Sequence, residues 1–77
     1  MMNIYGYKKG ADHLMEMKEV TMQCNPKELN EIILFLCYVR DEWACLDGDT
    51  VDSYSHFRDW KVDWEKENGD LIVALHQ

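Results

Sequence analysis

The segment SYSHFRDW, residues 53–60, holds the densest run of chemically able side chains in the sequence. Its hydroxyl, imidazole and carboxylate groups are those that hydrolases use, where a histidine oriented by a carboxylate takes a proton from serine. If residues 53–60 form one strand, however, Ser55 and Asp59 point to the face opposite His56, because successive side chains alternate. We therefore predict that the chain is not an enzyme and has no catalytic residues. An enzyme centred on His56 with the thiol of Cys37 or Cys45 stays open as a third alternative.

The residue types that bind metals and cofactors are scattered along the chain. The three histidines show no HxH or HExxH spacing, and the odd number of cysteines includes no CxxC pair. The segment LDGDTVD, residues 46–52, superficially resembles a calcium loop, but its glycine is misplaced and no glutamate follows at the required spacing. The four glycines are isolated, so no phosphate-binding loop is present. We predict no metal site and no cofactor.

The same segment has the composition of a protein-binding surface. On one strand, Tyr54, His56, Arg58 and Trp60 share a face, and Trp, Tyr and Arg dominate the energetics of protein interfaces. An alternative is that these long side chains only cover a half-buried strand. We predict a partner-binding surface with the following members: Tyr38, Tyr54, His56, Arg58, Asp59, Trp60 and Trp64.

One long helix is the clearest element that would position this surface. Asn25 is a good N-cap, Pro26 suits the first helical position, and Glu28 lies three residues after the cap. These features predict a helix from Pro26 to about Ala44. Its apolar residues fill an arc of about 200°, so we expect it to lie against a sheet. The arc contains Leu29, Ile32, Ile33, Phe35, Leu36, Cys37, Val39, Trp43 and Ala44.

Four extended segments accompany the helix. They are predicted at residues 3–7, 14–24, 53–60 and 70–76, and the last, apolar on both sides, is expected to be a central strand. The predicted fold is α+β in the order β-β-α-β-β, with one long helix packed on a four-stranded, mostly antiparallel sheet. Residues 1–77 would form a single domain. The second face of the sheet would be open, and a partner or a second copy would cover it.

Two features interrupt the apolar pattern of the helix: one basic residue inside the apolar arc, and one apolar pair on the polar side. Arg40 falls inside the arc, where its head either extends past a short apolar stem to solvent or pairs with one of the acids downstream. Leu34 and Tyr38 lie together on the polar side beside Asp41. They are either an ordinary exposed pair or a contact for a partner.

The negative charge is concentrated in the second half of the chain. Residues 41–70 hold ten acids and three bases, whereas acids and bases balance in the rest. Such a field disfavours nucleic acid and anionic membranes and attracts a basic protein, although acids also serve solubility alone. No stretch approaches the ~18 apolar residues of a membrane span, and the N-terminus lacks an apolar signal region. We expect a cytoplasmic protein.

The layout from the Pro26 helix through SYSHFRDW, WKVDWEKE and the closing DLIVAL resembles the small immunity proteins of bacterial polymorphic toxin systems. The resemblance covers residues 14–75, with His56, Phe57 and Asp59 matching a histidine-containing strand; Phe57 stands where a second histidine would follow His56. It implies a cytoplasmic protein that binds and blocks a toxin domain, often a basic nuclease.

Two functions follow as expectations. The first is a non-enzymatic protein-binding domain that neutralises a toxin through an acidic surface. The alternative is a small structural or regulatory α+β domain that works as a homodimer, closing its open sheet face on a second copy.

Overall fold

A computed structural model describes residues 2–44, 52–65 and 68–76 of the chain. The predicted α+β class is confirmed, but the predicted four-stranded sheet is wrong, since the described strands form two separate antiparallel pairs, β1-β2 and β3-β4. The predicted turn at residues 46–52 lies, except for Asp52, outside the described residues, as does Cys45. The elements are β1 (Ile4–Gly6), β2 (Met15–Met17), α1 (Pro26–Ala44), β3 (Asp52–His56), α2 (Phe57–Trp60) and β4 (Ile72–His76).

The first strand pair is short, with three residues of β1 paired with three residues of β2. Ile4 pairs with Met17 and Gly6 with Met15. In the loop that connects the two strands, Gly10 has a φ of 83°, a backbone conformation that favours glycine. The predicted strand over residues 14–24 is wrong beyond Met17, since no described strand pairs with residues 18–24.

Helix α1 begins at the predicted capping residues. The Asn25 side chain accepts a hydrogen bond from the Glu28 amide at 2.8 Å, and the Glu28 side chain accepts one from the Asn25 amide at 2.9 Å. The Leu29 amide then donates the first helical hydrogen bond to the Asn25 carbonyl. This reciprocal arrangement satisfies amides that the start of a helix otherwise leaves unpaired, and the predicted bounds Pro26–Ala44 are confirmed.

Only a narrow stripe of α1 is buried, and the predicted 200° buried arc is partly wrong. Ile32, Phe35 and Val39 are buried. A neighbouring stripe of the predicted arc stays between 43% and 49% exposed; it consists of Leu29, Ile33 and Leu36. The physical reason is width: two strands about 5 Å apart match roughly one side of a helix about 10 Å across, whereas four strands would have covered more.

The pair β3-β4 supplies the layer beneath α1. Its register partners are Ser53 with Leu75, Tyr54 with Ala74, Ser55 with Val73, and His56 with Ile72. Val73 and Leu75 pack against the core, so their partners share the inner face. Tyr54 and Ile72 lie on the outer face and are exposed. Since β4 pairs only with β3 among the described strands, the predicted central position for residues 70–76 is wrong.

The predicted strand over residues 53–60 ends at His56, and residues Phe57–Trp60 form the short helix α2. Burial of two large rings explains the change. Side chains three residues apart lie on the same side of a helix but on opposite faces of a strand. The helical turn therefore lets both Phe57 and Trp60 face α1, and Phe57 becomes almost fully buried.

Aromatic rings form the centre of the small core. Phe35 of α1 contacts Phe57 edge-on with ring centroids 5.3 Å apart, and Phe57 contacts Trp64 in the same way at 4.9 Å. Trp60 packs against Phe35 at 5.6 Å and against Tyr38 at 6.2 Å. Such tilted and edge-on pairs add to the free energy gained by burial. The rings hold α1, α2 and the following segment together.

Candidate partner-binding site

A groove of about 240 Å³ opens beside this aromatic cluster. We call it the aromatic groove, and its lining residues are Phe35, Tyr38, Tyr54, Ser55, His56, Asp59 and Trp60. Five of the seven residues that the sequence predicted as partner-binding therefore come together: Tyr38, Tyr54, His56, Asp59 and Trp60. Their spatial relation differs from the prediction, because they come from α1, β3 and α2 and do not lie on one strand face.

Each wall of the aromatic groove is positioned by a different element. Phe35 is fully buried and forms the base, while Trp60 lies against both Phe35 and Tyr38. Tyr54 projects from the outer face of β3 and is 70% exposed. The groove thus combines a rigid aromatic base with an accessible aromatic side.

Arg58 and Trp64 lie outside the aromatic groove. Arg58 is two residues from Trp60, and two residues of a helix separate side chains by about 200°, so the predicted common face is wrong. The Trp64 indole donates a hydrogen bond to the Gly69 carbonyl at 2.9 Å. It borders a second groove, which we call the polar groove; its lining is Asn25, Lys27, Glu28, Glu31, Lys61, Asp63, Trp64, Glu65 and Asn68.

His56 has a carboxylate partner that the sequence reasoning missed. Its Nδ1 lies 2.8 Å from Oδ2 of Asp70, whose side chain is only 14% exposed. A carboxylate at Nδ1 orients the ring and leaves Nε2 for another partner. The pairing of β3 with β4 brings these residues together, because Asp70 lies just before β4. The only local sign in the sequence is an acid directly after the Asn68-Gly69 turn.

Ser55 and His56 lie on opposite faces of β3 as predicted, because alternation applies up to His56. The prediction for Asp59 assumed a continuous strand and is wrong in that assumption, since Asp59 lies on α2; all three residues line the aromatic groove. Within the described residues, no hydrogen bond joins His56 to Ser55 or to Asp59. The groove therefore does not show the linked serine, histidine and carboxylate that nucleophilic catalysis requires.

Asp70 also caps α2. Its Oδ1 accepts a hydrogen bond from the Arg58 amide at 2.9 Å. The side chain of His56, at the N-cap position, makes no capping hydrogen bond. Burial acts to raise the pKa of the Asp70 carboxyl. The hydrogen bonds from the Arg58 amide and from His56, together with Coulomb attraction to these two residues, lower the pKa by more than burial raises it. The net pKa lies below the ordinary value, so the carboxylate form is favoured.

An ion-pair network within the chain itself lines the polar groove. Lys61 Nζ lies 2.6 Å from Asp63 Oδ1 and 3.6 Å from Glu31 Oε1. The hydrogen bond to Asp63 is the main cause that raises the pKa of Lys61, and the same bond lowers the pKa of Asp63. These contacts link α1 to the segment after α2, so their evident role is structural.

The acids of the second half of the chain differ in how they are paired. Arg40 lies 3.2 Å from Asp41, the next residue, and both side chains are largely exposed, so both alternatives for Arg40 hold: its head reaches solvent and it pairs with an acid. Exposed pairs of this kind contribute little stability. In the described parts of the chain, Asp59 and Glu65 take part in no ion pair.

Neither a metal cluster nor a membrane helix is found where the structure describes the chain. Over residues 2–44, 52–65 and 68–76, no three histidine, cysteine or acidic side chains lie close enough to hold a metal ion. Within those same ranges, no helix has the length and apolar character needed to cross a membrane.

The fold and groove define an α+β protein with one long helix and two small antiparallel strand pairs. Comparison of the chain with known protein families, with curated proteins and with solved structures found no match.

Proposed function

We propose that the chain is a non-enzymatic, cytoplasmic protein-binding domain that neutralises a basic toxin domain, as the resemblance to small immunity proteins implies. The observation that carries the proposal is the aromatic groove. Tyr38, Tyr54 and Trp60 line it together with Asp59, which belongs to residues 41–70, where ten acids stand against three bases. Aromatic anchors surrounded by polar groups are the usual composition of the energetic centre of a protein interface.

The size of the groove favours a protein partner over a small-molecule substrate. Its volume of about 240 Å³ is below the ~300–1,000 Å³ of typical ligand pockets. Its lining is also open, as Tyr54 is mostly exposed. Such a groove has room for one side chain of a partner, while the surrounding surface supplies the rest of the interface.

The charge distribution supports a basic partner. Ten of the fifteen acids lie in residues 41–70, and Asp59 and Glu65 are unpaired within the described residues. Toxins that cleave nucleic acid need basic surfaces to bind phosphates. An acidic surface accelerates encounter with such a domain and competes for the same basic side chains.

The test is co-expression of the chain with the toxin-domain candidate encoded by the neighbouring open reading frame. We expect the chain to restore growth and to form a complex that weakens as salt increases. Asp59→Lys should abolish protection. Asp12→Lys is the matched control, because it makes the same charge change at a fully exposed acid outside residues 41–70, and it should protect. Failure of the wild-type chain to bind the candidate at low salt would count against the proposal.

A homodimer is the second candidate function, and a specific observation favours it. The outer face of β3-β4 exposes Tyr54 and Ile72, and the stripe Leu29, Ile33 and Leu36 of α1 is nearly half exposed. Exposed apolar patches of this kind mark interaction surfaces. Light scattering after size exclusion, at several protein concentrations and salt concentrations, measures the mass directly. A strict monomer throughout would exclude this candidate.

A further inference from the structure

We propose that the aromatic groove is a subsite for one guanidinium group, so that the partner inserts an arginine side chain between Tyr38, Tyr54 and Trp60 and pairs it with Asp59. This inference rests on the proposed function and specifies the chemistry of the partner. It assigns to the groove a ligand class, and to Asp59 the role of the counter-charge.

The aromatic rings provide the first part of the argument. Tyr38 and Trp60 stand with centroids 6.2 Å apart and planes tilted by 36°, and exposed Tyr54 borders the same groove. Cations are attracted to the faces of Trp and Tyr within about 6 Å of the ring centre, and arginine is the cation found there most often. Trp60 is also held in place by Phe35, so its ring is ordered before a ligand arrives.

The charges that face the groove provide the second part. Asp59 lines the groove and has no ion pair among the described residues. His56 also lines the groove, and its Nδ1 lies 2.8 Å from Oδ2 of Asp70. The Arg58 Nη2 atom lies 3.8 Å from the same Asp70 oxygen, Oδ2. The groove is therefore complementary to a cation that the described chain does not itself supply.

The polar groove provides an internal comparison. There, Trp64 and the acids Glu31 and Asp63 surround Lys61 of the same chain, which lies within ion-pair distance of both carboxylates. The aromatic groove has the same combination of aromatic and acidic groups, but no lysine or arginine of the described residues lines it. A basic side chain from a partner would complete it in the same way.

A guanidinium fits these features better than an ammonium. It is planar, it stacks on aromatic faces, and it forms two parallel hydrogen bonds with a carboxylate. Both surfaces, rings and carboxylate, are present in the aromatic groove. An ammonium would use the charge of Asp59 but would gain less from the flat rings.

The experiment is a titration of the ¹⁵N-labelled chain with N-acetyl-arginine amide, followed by ¹H–¹⁵N correlation spectra. The uncharged citrulline analogue is the matched ligand control. The Trp64 indole signal, in the polar groove, is the control within each spectrum. We expect saturable shifts of the Trp60 indole and the Tyr54 and Asp59 amides, with millimolar affinity, and none with citrulline.

Variants test the role of each group. Asp59→Asn should weaken arginine binding about two- to fivefold, whereas Glu65→Gln in the polar groove should leave it unchanged. Tyr54→Ala should weaken it by about the same factor and Tyr54→Phe should restore it, because the ring face provides the attraction. Stronger binding of N-acetyl-lysine amide than of the arginine ligand would overturn the choice of a guanidinium.

Equal shifts with arginine and citrulline, no shift at Trp60, or unchanged affinity in Asp59→Asn would overturn the subsite. The proposed function has its own criterion, because growth protection is measured without these ligands. Protection by the wild-type chain without arginine binding would refute the subsite alone. Arginine binding without protection would refute toxin neutralisation and retain the subsite.

Discussion

Replacing Asp70 by alanine should destabilise the fold, because one carboxylate holds both the start of α2 and the His56 ring. Loss of the contact to the Arg58 amide, 2.9 Å long, removes a helix cap that contributes about 1 kcal/mol. Loss of the charge-assisted contact to His56, 2.8 Å long, costs about 1–1.5 kcal/mol once its partial exposure is taken into account. We expect the free energy of unfolding to fall by about 2–2.5 kcal/mol at neutral pH.

This loss is large for so small a domain. A chain of 77 residues has a total stability of about 4–12 kcal/mol. The assay is urea unfolding followed by tryptophan fluorescence, where a slope of about 1 kcal/mol/M places the midpoint about 2–2.5 M lower. Asp70→Asn should lose about half as much, since its amide oxygen still accepts from the Arg58 amide. The matched control Asp12→Ala removes a fully exposed acid and should leave the midpoint unchanged.

The effect should also depend on pH in a defined direction. The pKa of Asp70 is lower in the folded state than its ordinary value. Its stabilisation is therefore complete above the unfolded pKa of about 4 and is lost as the pH falls through the lower folded value. The difference between wild type and Asp70→Ala should shrink as the pH falls below about 4. Equal midpoints at neutral pH, or a difference that persists undiminished in acid, would refute the reasoning.

The remaining predictions concern the core, the helix cap, the groove and the polar network. Phe35→Ala should lower the free energy of unfolding by about 3–5 kcal/mol in urea titrations, because it empties the centre of the aromatic cluster. Asn25→Ala should cost about 1 kcal/mol by the same assay, and Asn25→Gly only a few tenths. Tyr54→Ala should change stability by less than about 0.5 kcal/mol while weakening the toxin complex in a binding titration. Lys61→Gln should lower the melting temperature at neutral pH, with the deficit disappearing as the pH rises above about 10.4.

Local chemistry made the long helix predictable from the sequence. Asn25, Pro26 and Glu28 act within four residues of one another, so the start of α1 does not depend on the rest of the fold. Residue type also singled out Tyr38, Tyr54 and Trp60, since Tyr and Trp are enriched at protein interfaces. What the sequence could not indicate was the conformation that joins them, because strand and helix patterns differ little over eight residues.

Residues 53–60 show why the local pattern failed. Their alternation predicted a strand, but burial of both Phe57 and Trp60 against α1 favours a helical turn, and Asp70 from beyond the turn caps it. That competition depends on contacts between distant residues, which periodicity does not register. The number of strands per sheet was missed for a related reason: pairing partners are chosen by the packing of the whole chain, and no local residue encodes them.

By itself, the sequence determined the α+β class, the bounds of the long helix, and the concentration of acids in the second half. These depend on residue type and near-neighbour spacing, which act before the chain is compact. Only the tertiary structure decided that the strands form two separate pairs, that His56 meets Asp70 across fourteen residues, and that Tyr38 joins Tyr54 and Trp60 in one groove. These depend on which surfaces exclude water together, and that is a property of the folded chain.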